Sequence, residues 1–128
     1  MSTRSTIALE FADGTVEQVY CHFDGYLSGV GEQLRNYYSD PFALRDLIDG
    51  GDMSCIGSPY TERGEELVVR KFRDFEDYKA NGQDEEYDYI LRYIDGKGVW
   101  LVRCYATNGK FVSFDTAVEM EQTENEEY

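Results

Sequence analysis

Tyr87-Asp88-Tyr89-Ile90-Leu91-Arg92-Tyr93-Ile94 alternates along its length, with Tyr87, Tyr89, Leu91 and Tyr93 on one side and Asp88, Ile90, Arg92 and Ile94 on the other. That period of two is the mark of a strand with one face against a core. Asp95-Gly96 follows, a dipeptide that accepts the positive φ angles of a tight hairpin turn. Val99 to Tyr105 returns, and Asn108-Gly109 turns the chain again into Phe111-Val112-Ser113-Phe114. These signals predict a three-stranded antiparallel meander.

Working toward the N-terminus, a second hairpin is expected from Arg4 to Ala12 and Thr15 to Phe23 around Asp13-Gly14. Between the hairpins the period changes. Val30, Leu34, Tyr37 and Tyr38 fall at helical spacing, so a helix is expected over 28–38, with Ser28 as its N-cap. Asp40-Pro41 opens a second helix, Asp40 capping and Pro41 in the first turn, with Phe42, Leu44, Leu47 and Ile48 as its apolar face and Gly50-Gly51 as its stop. Residues 52–63 read as irregular, 66–72 as a strand, and 74–80 as a short helix capped by Asp74. A last helix is expected over 115–120, and 121–128 reads as a disordered acidic tail because its like charges lack apolar spacing. The expectation is an α+β fold, one domain over residues 1–120: an antiparallel sheet with two or three short helices packed on one face.

Composition narrows the function. Lys and Arg total 12 against 26 Asp and Glu, a formal net charge of −14, with 11 Tyr. Such a chain repels nucleic acid and anionic lipid, because phosphate binding rests on cations displacing counterions. No apolar run approaches the roughly 20 residues that span a bilayer. The opening residues lack the apolar core of an export signal. Cys21, Cys55 and Cys104 form no close pair, which points to free thiols in a reducing cytoplasm.

Three stretches carry a resemblance: Thr3-Arg4-Ser5-Thr6-Ile7-Ala8, Ala12-Asp13-Gly14-Thr15-Val16, and Val19-Tyr20-Cys21-His22-Phe23-Asp24-Gly25-Tyr26. Together with 77–78, 81–83 and 86–91, they resemble a family of small bacteriophage and prophage proteins. Where that family commonly has Trp before Asp-Gly-Tyr, this chain has Phe23. The resemblance implies a phage accessory gene expressed in a bacterial host cell, and it transfers no catalytic residues.

The most reactive-looking stretch is Cys21-His22-Phe23-Asp24, a thiol, the single His and an acid. A small enzyme using Cys21, His22 and Asp24 is one reading. On a strand, however, neighbouring side chains point to opposite faces, so Cys21 joins Val19 and Phe23 on a core side while His22 diverges. The clusters Asp84-Glu85-Glu86 with Asp88, and Asp46, Asp49 and Asp52, lack the ligand spacing of a calcium loop. Gly25, Gly29 and Gly31 precede a helix without the Lys-Ser/Thr of a phosphate loop. No cofactor or metal is expected. Trp100 reads as structural.

The binding candidates are Tyr87, Tyr89 and Tyr93 with Asp84, Glu85, Glu86 and Asp88. Outward tyrosines beside acids would make a protein-binding surface; inward ones would be core, and alternation alone leaves both open. The leading expectation is a non-enzymatic acidic protein that binds and inhibits a host protein, a nucleic-acid-binding one among the candidates, as anti-CRISPR, anti-restriction or transcription inhibitors do. DNA mimicry is its specific form. A self-associating domain forming a homodimer is the remaining alternative.

Overall fold

In the computed structural model of the protein, which describes residues 3–56, 58–59 and 68–126, β1 (Ser5–Glu10) lies at the centre and β2 (Val16–Cys21) pairs with it antiparallel, Glu10 opposite Val16 and Ser5 opposite Cys21. Gly14 takes φ 90° in the turn. The Asp13 carboxylate closes it by accepting from the Thr15 amide at 3.0 Å and hydroxyl at 2.6 Å. The expected meander is present as β6 (Tyr87–Ile94), β7 (Lys97–Cys104) and β8 (Val112–Ser113). Asp95 and Gly96 both hold positive φ, 53° and 79°, as a two-residue hairpin turn requires.

The fold is α+β, but the sheet is mixed rather than antiparallel. β1 pairs with β6 in parallel, from Ser5 opposite Tyr87 to Leu9 opposite Leu91. β2 pairs in parallel with β3 (Met53–Cys55), which in turn pairs with β4 (Ser58–Pro59). Each hairpin is antiparallel within itself, because its turn dictates that. The two lie side by side in the same sense: β2 ends opposite Ser5 and β6 begins opposite Ser5, so the second hairpin starts at the end of the sheet where the first finishes. Residues 53–55 and 58–59, read as irregular, thus form an edge of the sheet; 60–63 lie outside the described residues. Of the strand expected over 66–72, the described residues form β5 (Arg70–Phe72), pairing with β2; 66–67 lie outside the described residues.

The helices occupy both faces, a second correction. On one face a π-helical turn (Leu27–Gly31), α1 (Glu32–Tyr37), α2 (Pro41–Asp49) and α4 (Phe114–Glu126) cover Ile7, Leu9, Val19, Tyr89, Leu91 and Val102. On the other, α3 (Phe75–Asn81) covers Ala8, Val16 and Ile90 through Tyr78. Asp40 caps α2 by accepting from Phe42 N at 3.2 Å, and Asp74 caps α3 by accepting from Asp77 N at 2.8 Å. Ser28 does not cap the first helix: it lies inside the π turn, whose N-cap is Tyr26. The reason is close packing. A Cβ on Gly29 would run into the Asp24 carbonyl oxygen, and one on Gly31 would meet Tyr89 Oη and Phe114 at 3.0 Å. Phe42, assigned to the apolar face of α2, is 79% exposed, whereas Leu44 and Ile48 are fully buried.

α4 runs through Glu126, so 121–126 is helix rather than disordered tail. The Ser113 hydroxyl accepts from Thr116 N at 3.2 Å at its start, and Ala117 and Val118 pack on the core. A helix nucleated in this way propagates through Glu and Gln, which are good helix formers. No helix among the described residues is long and apolar enough to cross a membrane.

Candidate functional site

The register of β6 with β7 places Tyr87 opposite Cys104 and Asp88 opposite Arg103 at one end of the sheet. Beyond Cys104 a 3-10 turn (Tyr105–Thr107) follows, locked by the Thr107 hydroxyl, which accepts from Cys104 N at 3.0 Å. Asn108 and Gly109, at φ 56° and 76°, then reverse the chain. The segment before β6, the loop after β7 and α4 enclose a cleft of about 530 Å³. Asp84, Glu86, Tyr87, Arg103, Tyr105 and Glu121 give it its character.

Its acids are held in different ways. Glu121 accepts from the Tyr87 hydroxyl at 2.7 Å. Burial, and then that bond, push the Tyr87 hydroxyl well above the usual tyrosine range, so it stays a donor. Glu85 accepts from Gln83 Nε2 at 2.7 Å, and Glu86 from the Arg4 amide at 3.3 Å. Asp84 is exposed, 3.9 Å from Arg103 Nη2. Tyr105 is 86% exposed at the rim. Burial raises the Cys104 thiol, keeping it protonated and a poor nucleophile. The cleft therefore offers carboxylate acceptors and aromatic rings, a lining suited to Lys or Arg side chains.

The structure divides the residues expected to bind. Asp84, Glu85, Glu86 and Tyr87 line this cleft together. Tyr89 and Asp88 are fully buried and so belong to no surface. The tyrosine face of β6 packs on the helices, with Tyr89 donating to Gly25 O at 2.7 Å and stacked 6.3 Å from Tyr87. Asp88 faces the opposite side, where it accepts from Thr6 Oγ1 at 2.6 Å and lies 3.2 Å from Arg103 Nη2. Burial pushes its carboxyl up to about 7, against the pull of Thr6 and Arg103. Tyr93 lies at the far end of β6, beside Phe11, Pro41 and Phe42 in a separate apolar groove of about 210 Å³. Glu121, Tyr105 and Arg103 were not singled out from sequence. Arg103 follows from counting back across the Asp95-Gly96 turn; Glu121 belonged to a segment read as disordered.

Cys21, His22 and Asp24 each engage a different partner. Cys21 is fully buried among core residues, its Sγ 3.7 Å from Phe23 O, and burial pushes its thiol up to about 11. His22 Nδ1 is instead 2.6 Å from the Tyr20 hydroxyl. Asp24, at φ 62°, turns the chain and accepts from Val30 N at 2.8 Å through its carbonyl. Gly25, Gly29 and Gly31 serve packing: a Cβ on Gly25 would stand 2.8 Å from Ser5 Cβ. Asp52 is engaged by Arg70 at 2.9 and 3.0 Å and accepts from Tyr20 N. Trp100 is buried and donates to Ser39 Oγ at 3.2 Å. Among the described residues no group of three His, Cys, Asp or Glu is placed to hold a metal ion. No protein-family model, curated protein or solved structure matches this chain.

Proposed function

We propose that this protein is a non-enzymatic binding module whose acidic cleft receives Lys and Arg side chains of a basic protein partner. The observation that carries the reading is the convergence of Asp84, Glu85, Glu86 and Glu121 with Tyr87 and Tyr105 around one cleft. A chain of net charge −14 steers a basic surface toward that cleft and repels nucleic acid. The phage-like N-terminal stretches favour a host protein as partner. A host nucleic-acid-binding protein is the best-matched class, since its basic surface already accepts phosphates, and occupying that surface inhibits it. Anti-CRISPR, anti-restriction and transcription-inhibiting activities all take this form.

The test is affinity capture from host lysate at low and moderate salt, read by mass spectrometry, beside a D84N/E85Q/E86Q variant. The expected result is a basic nucleic-acid-binding protein retained at low salt, weakened by added salt, and lost with the variant. Equal capture by the variant would place the contact elsewhere on the surface. Capture of nothing but the chain itself would favour self-association.

A further inference from the structure

Across the sheet from α1, α2 and α4, a groove of about 660 Å³ runs between α3 and the β6–β7 strands. In a chain with 12 cations against 26 acids, this groove gathers Lys79, Arg92, Arg103 and Lys110 beside Phe75 and Phe111. The cations come from four places: α3, β6, β7 and the loop after β7.

Two of them are held rigidly from the sheet side. Arg92 Nη2 is 3.0 Å from Glu10, with its guanidinium 3.8 Å from the Phe75 ring centroid. Arg103 Nη2 is 3.2 Å from Asp88, with its guanidinium 4.7 Å from the Phe111 centroid. Their bonds to carboxylates run through Nε and Nη2. A guanidinium offers a fork of five N–H donors, so each Arg keeps donors for a further acceptor. Lys79 is 3.0 Å from the exposed Glu76 and 4.9 Å from the Phe75 centroid. Lys110 is exposed and has no ion pair among the described residues. Glu10, Asp88 and Glu76 each pair with one of these cations, and Asp84 stands 3.9 Å from Arg103 on the side of the acidic cleft, so Lys110 alone of the four carries a charge with no acid beside it among the described residues.

The groove's volume falls within the range of small-ligand sites, about 300–1,000 Å³. The surrounding negative field opposes an extended polyanion, because each added phosphate meets repulsion beyond the groove. A compact anion confines its charge to Lys110 and the remaining N–H donors of the groove. A carboxylate is planar and best met by one fork of parallel donors. Donors arriving from four elements suit a tetrahedral group with oxygens in several directions. We propose that this groove binds a small organic phosphate monoester, its phosphate held by Lys110, Lys79 and the free N–H groups of Arg92 and Arg103. Its apolar body lies against Phe111 and Leu101. This groove shares Arg103 and Gly109 with the acidic cleft but opens on another face, and the proposal does not depend on the partner-binding reading.

The test is an amide-resolved NMR titration of the full chain at low salt, with adenosine 5′-monophosphate as the probe. The expected result is saturable shifts confined to 75–80, 92, 101–103 and 109–111. Adenosine without phosphate should leave those amides unmoved, and inorganic phosphate should bind the same residues about tenfold more weakly. The exposed substitutions Lys79→Gln and Lys110→Glu together should weaken binding about tenfold or more, while Phe42→Ser, on the other face, should leave it unchanged. Unchanged affinity in the double variant, adenosine binding as well as its phosphate, or no saturable shift in the groove would each overturn the proposal.

Discussion

Arg103 reaches across the β6–β7 register to Asp88, its Nη2 3.2 Å from a carboxylate that has no solvent exposure. The pair sits between the acidic cleft and the cationic groove, because Arg103 lines both. Removing one partner strands the other in a dry environment. Arg103→Met is therefore expected to destabilise the fold by about 3–5 kcal/mol at pH 8, the cost of an unpaired buried charge. Asp88→Asn should cost less, since an amide oxygen still accepts from Thr6 and from the Glu85 amide. Urea unfolding of both variants reads the difference, and the reverse order would mean that Arg103 does not neutralise Asp88.

The same carboxyl predicts a pH dependence. Its folded pKa is raised to about 7, above the unfolded value of about 3.9. Between those values the folded state holds a proton that the unfolded state has lost, so stability falls as pH rises through the window. The contribution is on the order of a few kcal/mol, fully present near pH 4 and gone above pH 7. Unfolding free energies measured from pH 4.5 to 8 should slope downward, and Asp88→Asn should flatten the slope. An equal slope in the variant would assign the effect to general charge repulsion instead.

Thiol reactivity should separate the cysteines. Cys21 and Cys104 are buried and Cys55 is half-buried. Burial raises both buried thiols, Cys21 to about 11, which leaves little thiolate at neutral pH. Iodoacetamide on the native protein at pH 7.5 is expected to label Cys55 first, and Cys21 only after unfolding. Preferential native labelling of Cys21 would revive a nucleophilic role for it.

Two glycines of different character should respond differently to alanine. Gly14 holds φ +90° with nothing within 4 Å of a would-be Cβ, whereas at Gly29 that atom would collide with the Asp24 carbonyl oxygen. Gly14→Ala carries only backbone strain, about 1–2 kcal/mol. Gly29→Ala forces the π turn off the strand end and should cost more, at or beyond the 1–3 kcal/mol typical of overpacking. Thermal melts of the two variants rank them directly.

Local chemistry made much of this protein legible in advance. The Asp13-Gly14 and Asp95-Gly96 turns, the Asp40 and Asp74 caps and the core position of Cys21 each depend on neighbours a few residues away. The Asp95-Gly96 turn also determines that Asp88 faces Arg103, and so places a cation at the acidic end of β6. The expected acidic patch was half legible: Asp84, Glu85, Glu86 and Tyr87 meet at a cleft, but Tyr89 and Asp88 fall on the two buried faces of a central strand.

What the chain alone could not specify required contacts far apart in sequence. Thr6 meets Asp88 across 82 positions, and nothing local to either residue selects a parallel β1–β6 pairing. That pairing buries the middle of β6 on both sides, which decides a Tyr-Asp alternation that the sequence left open and makes Tyr89 and Asp88 core. The placement of α3 opposite the other helices, the order retained through Glu126, and the cationic groove between α3 and the sheet follow from the same packing. Turns and caps are settled by backbone geometry within a few residues. Which faces are dry, and which charges end up adjacent, is settled only when distant segments compete to cover one sheet.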